Sequence, residues 1–157
     1  MENQTDDEFK VIIGDIIANK KVQEMKKYRQ HGNVDCFEHC YMVSYGCYRV
    51  CKKLNLDYVS GARAGMLHDF YLYDWRKKSQ EHKPLHAFHH GLTAYKNASK
   101  EFTLNKREKD SIIKHMWPLI IIPPRYAEGF VLTLVDKCCT FKEMLKFYKN
   151  KFRKDKK

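Results

Sequence analysis

AGMLHDFYLYDW, residues 64–75, passes from apolar helical spacing into an aromatic and charged stretch, with His68 and Asp69 at the junction. Inside a helix two adjacent side chains diverge by about 100°, so a neighbouring His and Asp point apart. At a helix end the chain turns, and both can reach one ion. The residues behind the pair, 58–70, are opened by Asp57 and carry Ala62, Met66 and Leu67 at helical positions. The pair is therefore expected to close a buried helix, and the rest of the chain must supply the helices around it.

Helical periodicity extends in both directions. Upstream, Asp35 is a good N-cap for a helix running to Leu54, in which Val43, Gly46, Cys47, Val50 and Leu54 recur at helical spacing with His39 on the same side. The turn His31-Gly-Asn-Val ends a first helix expected over 6–29, with Val11, Ile12, Ile16, Val22 and Met25 as its apolar positions. Downstream, YLYDWRKKSQEHKPL (71–85) reads as a loop with room for one helical turn. Helices are expected over 87–100, over 106–116 with Pro118 as the stop, and over 127–148 after Pro123 and Pro124. The last should bury Val131, Leu134, Val135, Cys138 and Leu145. Strand-like alternation is nearly absent, and no Asn-Gly or Asp-Gly hairpin turn occurs. The expectation is an all-α fold, a single compact bundle of five to seven helices over 1–148, with a basic tail at 149–157.

Bulk properties agree. A chain of 157 residues suggests one domain, and at that length roughly 70% of the unfolded surface can be buried. The net charge is +11, of which 142–157 carries +6 (seven Lys and one Arg against Glu143 and Asp155) and the rest +5. A basic body attracts anionic partners, phosphate esters and nucleic acids among them; the Lys-rich end by itself reads first as a solvated terminus. No apolar run approaches the length needed to span a bilayer, and no membrane partner is expected. The opening MENQTDDEFK is acidic and polar, unlike a secretory leader, so a cytoplasmic location is expected. Cys36, Cys40, Cys47 and Cys51, spaced 4, 7 and 4, share one helix face over several turns and cannot converge on one metal. With Cys138 and Cys139 they read as small core residues of a reducing compartment.

All eight histidines lie between His31 and His115. His39 stands 29 residues before His68, His90 follows 22 after it, and His115 another 25 on. Asp136 sits in the apolar run FVLTLVDKCC, where an ionised carboxylate needs a partner or a metal. Taken singly, each has an ordinary reading: a satisfied core histidine, or an acid paired with lysine. The order H…HD…H…H…D, each member in a helical segment, points instead to a shared metal centre. His89 competes with His90 as the ligand. Tyr71, Tyr73 and Trp75 suit packing, and could also stack on a base.

This pattern, with QHG (30–32), EHCYMV, AGMLHDFYLYDW, LHAFHHG, HMWPL and VLTLVDK, resembles the HD-domain phosphohydrolase superfamily over about residues 31–140, and suggests a compact bacterial branch without extra domains. The resemblance implies an all-α fold holding one or two divalent transition metals, with His39, His68, Asp69 and Asp136 on the first, His90 and His115 on the second, and Asp69 between them. It implies His68 and Asp69 as the catalytic pair. It implies hydrolysis of a phosphomonoester or phosphodiester bond in a nucleotide or other small phosphorylated substrate. Imidazole and carboxylate suit Fe, Mn, Zn, Co or Ni without sharp selection, and paired ions can activate water and clamp a phosphoryl oxygen. Many members carry a Lys shortly after the HD pair; here the first cation is Arg76, so Arg76, Lys77, His86, His31 or Arg125 would contact the substrate. Met116 follows His115 where the cyclic-dinucleotide branch has a second His. Two other readings stay open: a non-enzymatic anion- or nucleic-acid-binding protein, and a di-iron oxygenase with the same ligand set.

Overall fold

The computed structural model describes residues 2–75 and 86–154, with side chains over 6–75 and 88–153. Eight α-helices form among these residues and no strand: α1 (Glu2–Ile12), α2 (Gly14–Ala18), α3 (Lys20–Gln23), α4 (Cys36–Lys53), α5 (Tyr58–Leu67), α6 (His86–Glu101), α7 (Lys106–Lys114) and α8 (Ala127–Lys154). The all-α expectation holds.

Side-chain caps set the helix starts. Asp35 accepts from the Glu38 amide at 2.9 Å ahead of α4. Asp57 accepts from the Ser60 amide at 2.9 Å ahead of α5. Asn105 and Glu108 form a reciprocal capping box on α7. Each cap contributes about 1 kcal/mol. The single helix expected over 6–29 is instead broken into α1, α2, α3 and a 3-10 turn at Glu24–Lys27. Gly14 is a poor helix former, and Asn19 leaves helical geometry to cap α3, accepting from the amides of Lys21 and Val22.

α4 and α5 form the central pair. A Cβ on Gly65 would lie 2.8 Å from the Ser44 Cα, so only glycine lets the two backbones come this close. Ser44 Oγ donates to the Ala62 carbonyl at 2.7 Å across the same seam. Cys40, Cys47 and Cys51 are buried free thiols there, and burial pushes their pKa values up, that of Cys51 to about 12. The core extends through Met66, Leu67, Phe70, Ile112 and Leu132, which ties α5, α7 and α8 together. Phe9, Ile13, Tyr48 and Ala62 make a second cluster that seals the N-terminal helices onto this pair.

α8 departs from expectation in two ways. It continues to Lys154, so residues 149–154 are helical rather than a loose tail. Val131 is buried as expected, but Leu134 is 63% exposed, Leu145 44%, and Cys138 is exposed too. The helix buries its other face, which carries Leu132, Thr133 and Glu143. Val11, an expected core position of the first helix, is likewise exposed. Among the described residues no helix is long and apolar enough to cross a membrane.

Candidate metal centre

The site forms where the ends of α5 and α7 meet the flanks of α4, α6 and α8. His68 caps α5, and its Nδ1 donates to the Gly65 carbonyl at 2.8 Å. His115 caps α7 in the same way, with Nδ1 donating to the Ile112 carbonyl at 2.8 Å. A ring held by its Nδ1–H presents a bare Nε2. Two helix ends thus aim two imidazole lone pairs at one region, and the ring centroids are 5.0 Å apart. Gly91 brings in the third helix: a Cβ there would lie 2.8 and 2.9 Å from the carbonyls of Ile112 and Ile113. This close approach sets His90 Nε2 2.8 Å from His115 Nε2. Gly91 lies inside α6, within the helix expected over 87–100. His90 is buried whereas His89 is exposed, so His90 is the one that faces the cluster.

The carboxylates are aimed by neighbours. Gln30 donates to Asp69 Oδ2 and accepts from the Tyr71 hydroxyl, both short contacts. That grip leaves Asp69 Oδ1 facing inward, 3.2 Å from His90 Nε2 and 3.6 Å from His115 Nε2. On α4, His39 is fully buried between two acids of α8. Its Nε2 lies 3.1 Å from Asp136 Oδ1 and its Nδ1 2.9 Å from Glu143 Oε1. Asp136 Oδ1 is also 3.7 Å from His68 Nε2.

Three overlapping groups of donor atoms result. His39, His68 and Asp69 form one, Asp69, His90 and His115 a second, and His68, His115 and Asp136 a third, with the atoms of each group within 4.8 Å of one another. Together they contain all six of the residues expected as ligands, and Asp69 is common to the first two. Clusters of this composition are able to hold a cation.

Electrostatics follow from burial and mutual proximity. Burial disfavours charge on His39, but hydrogen bonds to Asp136 and Glu143 outweigh it and hold its pKa well above 6.5. Burial lowers His115 to about 3, helped by the nearby rings of His90 and His68. Burial would raise Asp69 and Asp136, yet the surrounding imidazoles hold both well below the usual carboxylate range. Only three buried side-chain polar atoms among the described residues have no hydrogen-bond partner: His68 Nε2, Asp69 Oδ1 and Ser111 Oγ. Leaving such an atom unpaired costs about 1–3 kcal/mol. Two of the three belong to this cluster.

A cavity of about 540 Å³ opens over the cluster. Asp69, His90, His115 and Asp136 form its floor, and Trp75, Met116, Phe141 and Met144 supply apolar wall. His31 also lines it, with its ring 5.3 Å from that of His39; burial, then the charge on His39, lowers its pKa. The other expected substrate contacts fare differently. Arg125 is not among the cavity residues; it sits in the α7–α8 connection, its amide donating to Asp110 and its guanidinium 6.0 Å from the Tyr126 ring. Arg76 and Lys77 lie outside the described residues, as does the side chain of His86. Three residues had not been expected at the site. Glu143 follows Asp136 by seven positions, two helical turns, which places both on one face of α8; that spacing was the available signal. Lys137 directly follows Asp136 and lines the cavity, its Nζ donating to the Trp117 carbonyl at 2.9 Å. Gln30, the grip on Asp69, precedes the His31-Gly turn.

No family model, curated protein or solved structure matches the chain.

Proposed function

We propose that this chain is a metal-dependent phosphohydrolase of the HD type, acting on a nucleotide or another small phosphorylated metabolite. The observation that carries the reading is the convergence of His39, His68, Asp69, His90, His115 and Asp136 from five helical elements, with His68 Nε2 and Asp69 Oδ1 left without hydrogen-bond partners at its centre. Such a buried set fits one or two divalent ions such as Fe, Mn, Zn, Co or Ni, because imidazole and carboxylate suit them all. His39, His68, Asp69 and Asp136 would hold one ion, and Asp69, His90 and His115 would hold the other. When bound, such ions lower the pKa of coordinated water towards neutrality and polarise a phosphoryl oxygen.

The chain's own residues do the positioning. Glu143 fixes the ring of His39 from behind, as carboxylate partners of ligand histidines do. Gln30 and Tyr71 hold Asp69 in one orientation. The carbonyls of Gly65 and Ile112 set the ring orientation of His68 and His115. Above this floor, a cavity of about 540 Å³ suits a small molecule, since such sites run to roughly 300–1,000 Å³. Lys137 offers a cation at the wall for a phosphate, and Trp75, Met116 and Met144 take the apolar part of the substrate. The net charge of +11 draws anionic substrates towards it.

The test is metal analysis of the purified protein together with hydrolysis of generic phosphomonoesters and phosphodiesters after Mn or Fe loading. We expect about one or two metals per chain and a measurable turnover. Asp69→Ala should lose both the metal and the activity while retaining helical circular dichroism. Sub-stoichiometric metal with no hydrolysis after loading refutes the proposal.

A further inference from the structure

The outer face of α8 reverses the usual arrangement of a surface helix. Phe130, Leu134, Phe141, Leu145, Tyr148 and Phe152 are all more than 40% exposed. At about 100° per residue they fall within an arc of roughly 60°, a continuous apolar stripe along a helix about 42 Å long. Beside the stripe lie Lys142, Lys146, Lys149 and Arg153. With Leu145 and Phe152 they line one shallow depression of about 620 Å³. None of the four cations is ion-paired among the described residues, whereas Lys10, Lys21 and Lys52 each find an acid. At its other end the stripe continues into the α7–α8 connection. Trp117 packs edge-on against Phe130 with centroids 5.6 Å apart. Beyond it Leu119 is 45%, Ile122 62% and Ile121 90% exposed.

We propose that this face, the stripe of α8 with the tip at Leu119–Ile122, docks on an anionic lipid bilayer. An apolar stripe flanked by lysines is the pattern of a helix lying in the headgroup region, where apolar burial and attraction to anionic lipids add. The charge distribution decides against a second copy of the chain. The acids in the described part of α8, Glu128, Asp136 and Glu143, are all on its inner face, Glu128 bonded to Arg107 and the other two to His39. Two such outer faces brought together would oppose cation to cation. Nucleic acid would satisfy the lysines but would leave the isoleucines and phenylalanines unused, because such interfaces are polar. The expectation of no membrane partner rested on the lack of a spanning run, and a helix lying on the surface needs none. The proposal does not depend on the metal chemistry.

Co-sedimentation of the full chain with vesicles tests it. Vesicles of phosphatidylcholine mixed equally with phosphatidylglycerol should bind the protein, and pure phosphatidylcholine vesicles should not. Added salt should weaken the binding. Ile121→Glu combined with Ile122→Glu should lower partitioning at least about tenfold, and Lys146→Glu combined with Lys149→Glu should do the same. Both double variants change exposed side chains, and unchanged circular dichroism and Tm would show that they fold. Failure to bind anionic vesicles overturns the proposal, as does equal binding to neutral ones. Retention on random-sequence DNA without vesicle binding would assign the face to nucleic acid. A dimer in sedimentation that the Ile121→Glu/Ile122→Glu protein loses, without vesicle binding, would assign it to a second copy. Either result overturns the lipid assignment.

Discussion

The two faces of α8 obey opposite rules. Its inner face turns two acids, the buried Glu143 and the largely buried Asp136, against a fully buried histidine. Its outer face exposes six large apolar side chains beside four cations that have no ion-pair partner among the described residues. Folding alone would favour the reverse. Taking charged groups out of water costs stability even when they are paired, and a contiguous exposed apolar patch forgoes what burial would contribute. Both faces of this helix depart from the burial rule, and the proposed metal centre and lipid surface would account for one face each. Leu132 and Val131 obey the rule and hold the helix to the bundle.

The largest effect should come from the part that behaves ordinarily. Leu132 is fully buried, so Leu132→Ala should destabilise by about 2–5 kcal/mol, read by chemical denaturation of metal-free protein. A small loss there would mean that α8 is held chiefly through His39 and its two acids, and the comparison would need redrawing.

Acid should next reveal the inner face. His115 titrates at about 3 in the fold, below its ordinary 6.5. The unfolded chain therefore takes up that proton first, and the stability His115 contributes, full above 6.5, drains away as pH falls from 6.5 towards 3. Asp69 and Asp136 have the same sign in a lower window: their contribution is present above about 4 and is lost as pH falls further. His39 has the opposite sign, contributing below 6.5 and losing that contribution as pH rises through its elevated folded value. Urea midpoints of chelator-treated protein across pH would show this. The His115→Gln protein should show a shallower slope between 6.5 and about 4, where His31 still contributes with the same sign, and an unchanged slope would remove His115 from the account.

Glu143 gives a more moderate test. Glu143→Gln keeps a hydrogen-bonding side chain behind His39 and removes its charge, so metal affinity should fall about 10–100-fold with the helical spectrum intact. An unchanged affinity would make Glu143 a structural neighbour only.

The legible parts of the molecule were those where chemistry is local in the chain. Asp35, Asp57 and Asn105 declare their helices because a cap acts on the next three residues. His68 and Asp69 point to a helix end because adjacent side chains diverge inside a helix and can converge only where it stops. Placing His39, His90, His115 and Asp136 took more than local pattern; their order along the chain resembled a known one, and the structure brings their donor atoms together. What stayed hidden depends on partners far away in the chain. Asn19 breaks the first helix while its side chain donates to Glu101. Glu143 matters only because α8 crosses α4 at His39. Leu134 and Leu145 share apolar chemistry with Val131, and hydrophobicity alone cannot say which arc of a helix meets the bundle when both arcs carry apolar residues.

Leu134 therefore supplies the smallest and most discriminating effect. It lies within four residues of Val131 and Leu132 on the same helix, yet it is 63% exposed. Leu134→Ala should change stability by no more than about 0.5 kcal/mol, as surface substitutions do, against the several expected two positions earlier. Alanine is also a better helix former than leucine, which offsets part of the small apolar loss. Equal costs for Leu132→Ala and Leu134→Ala in the isolated protein would mean that the outer stripe is already buried, by the chain itself or by a second copy. The contrast between the two faces would then be one of partner rather than of solvent.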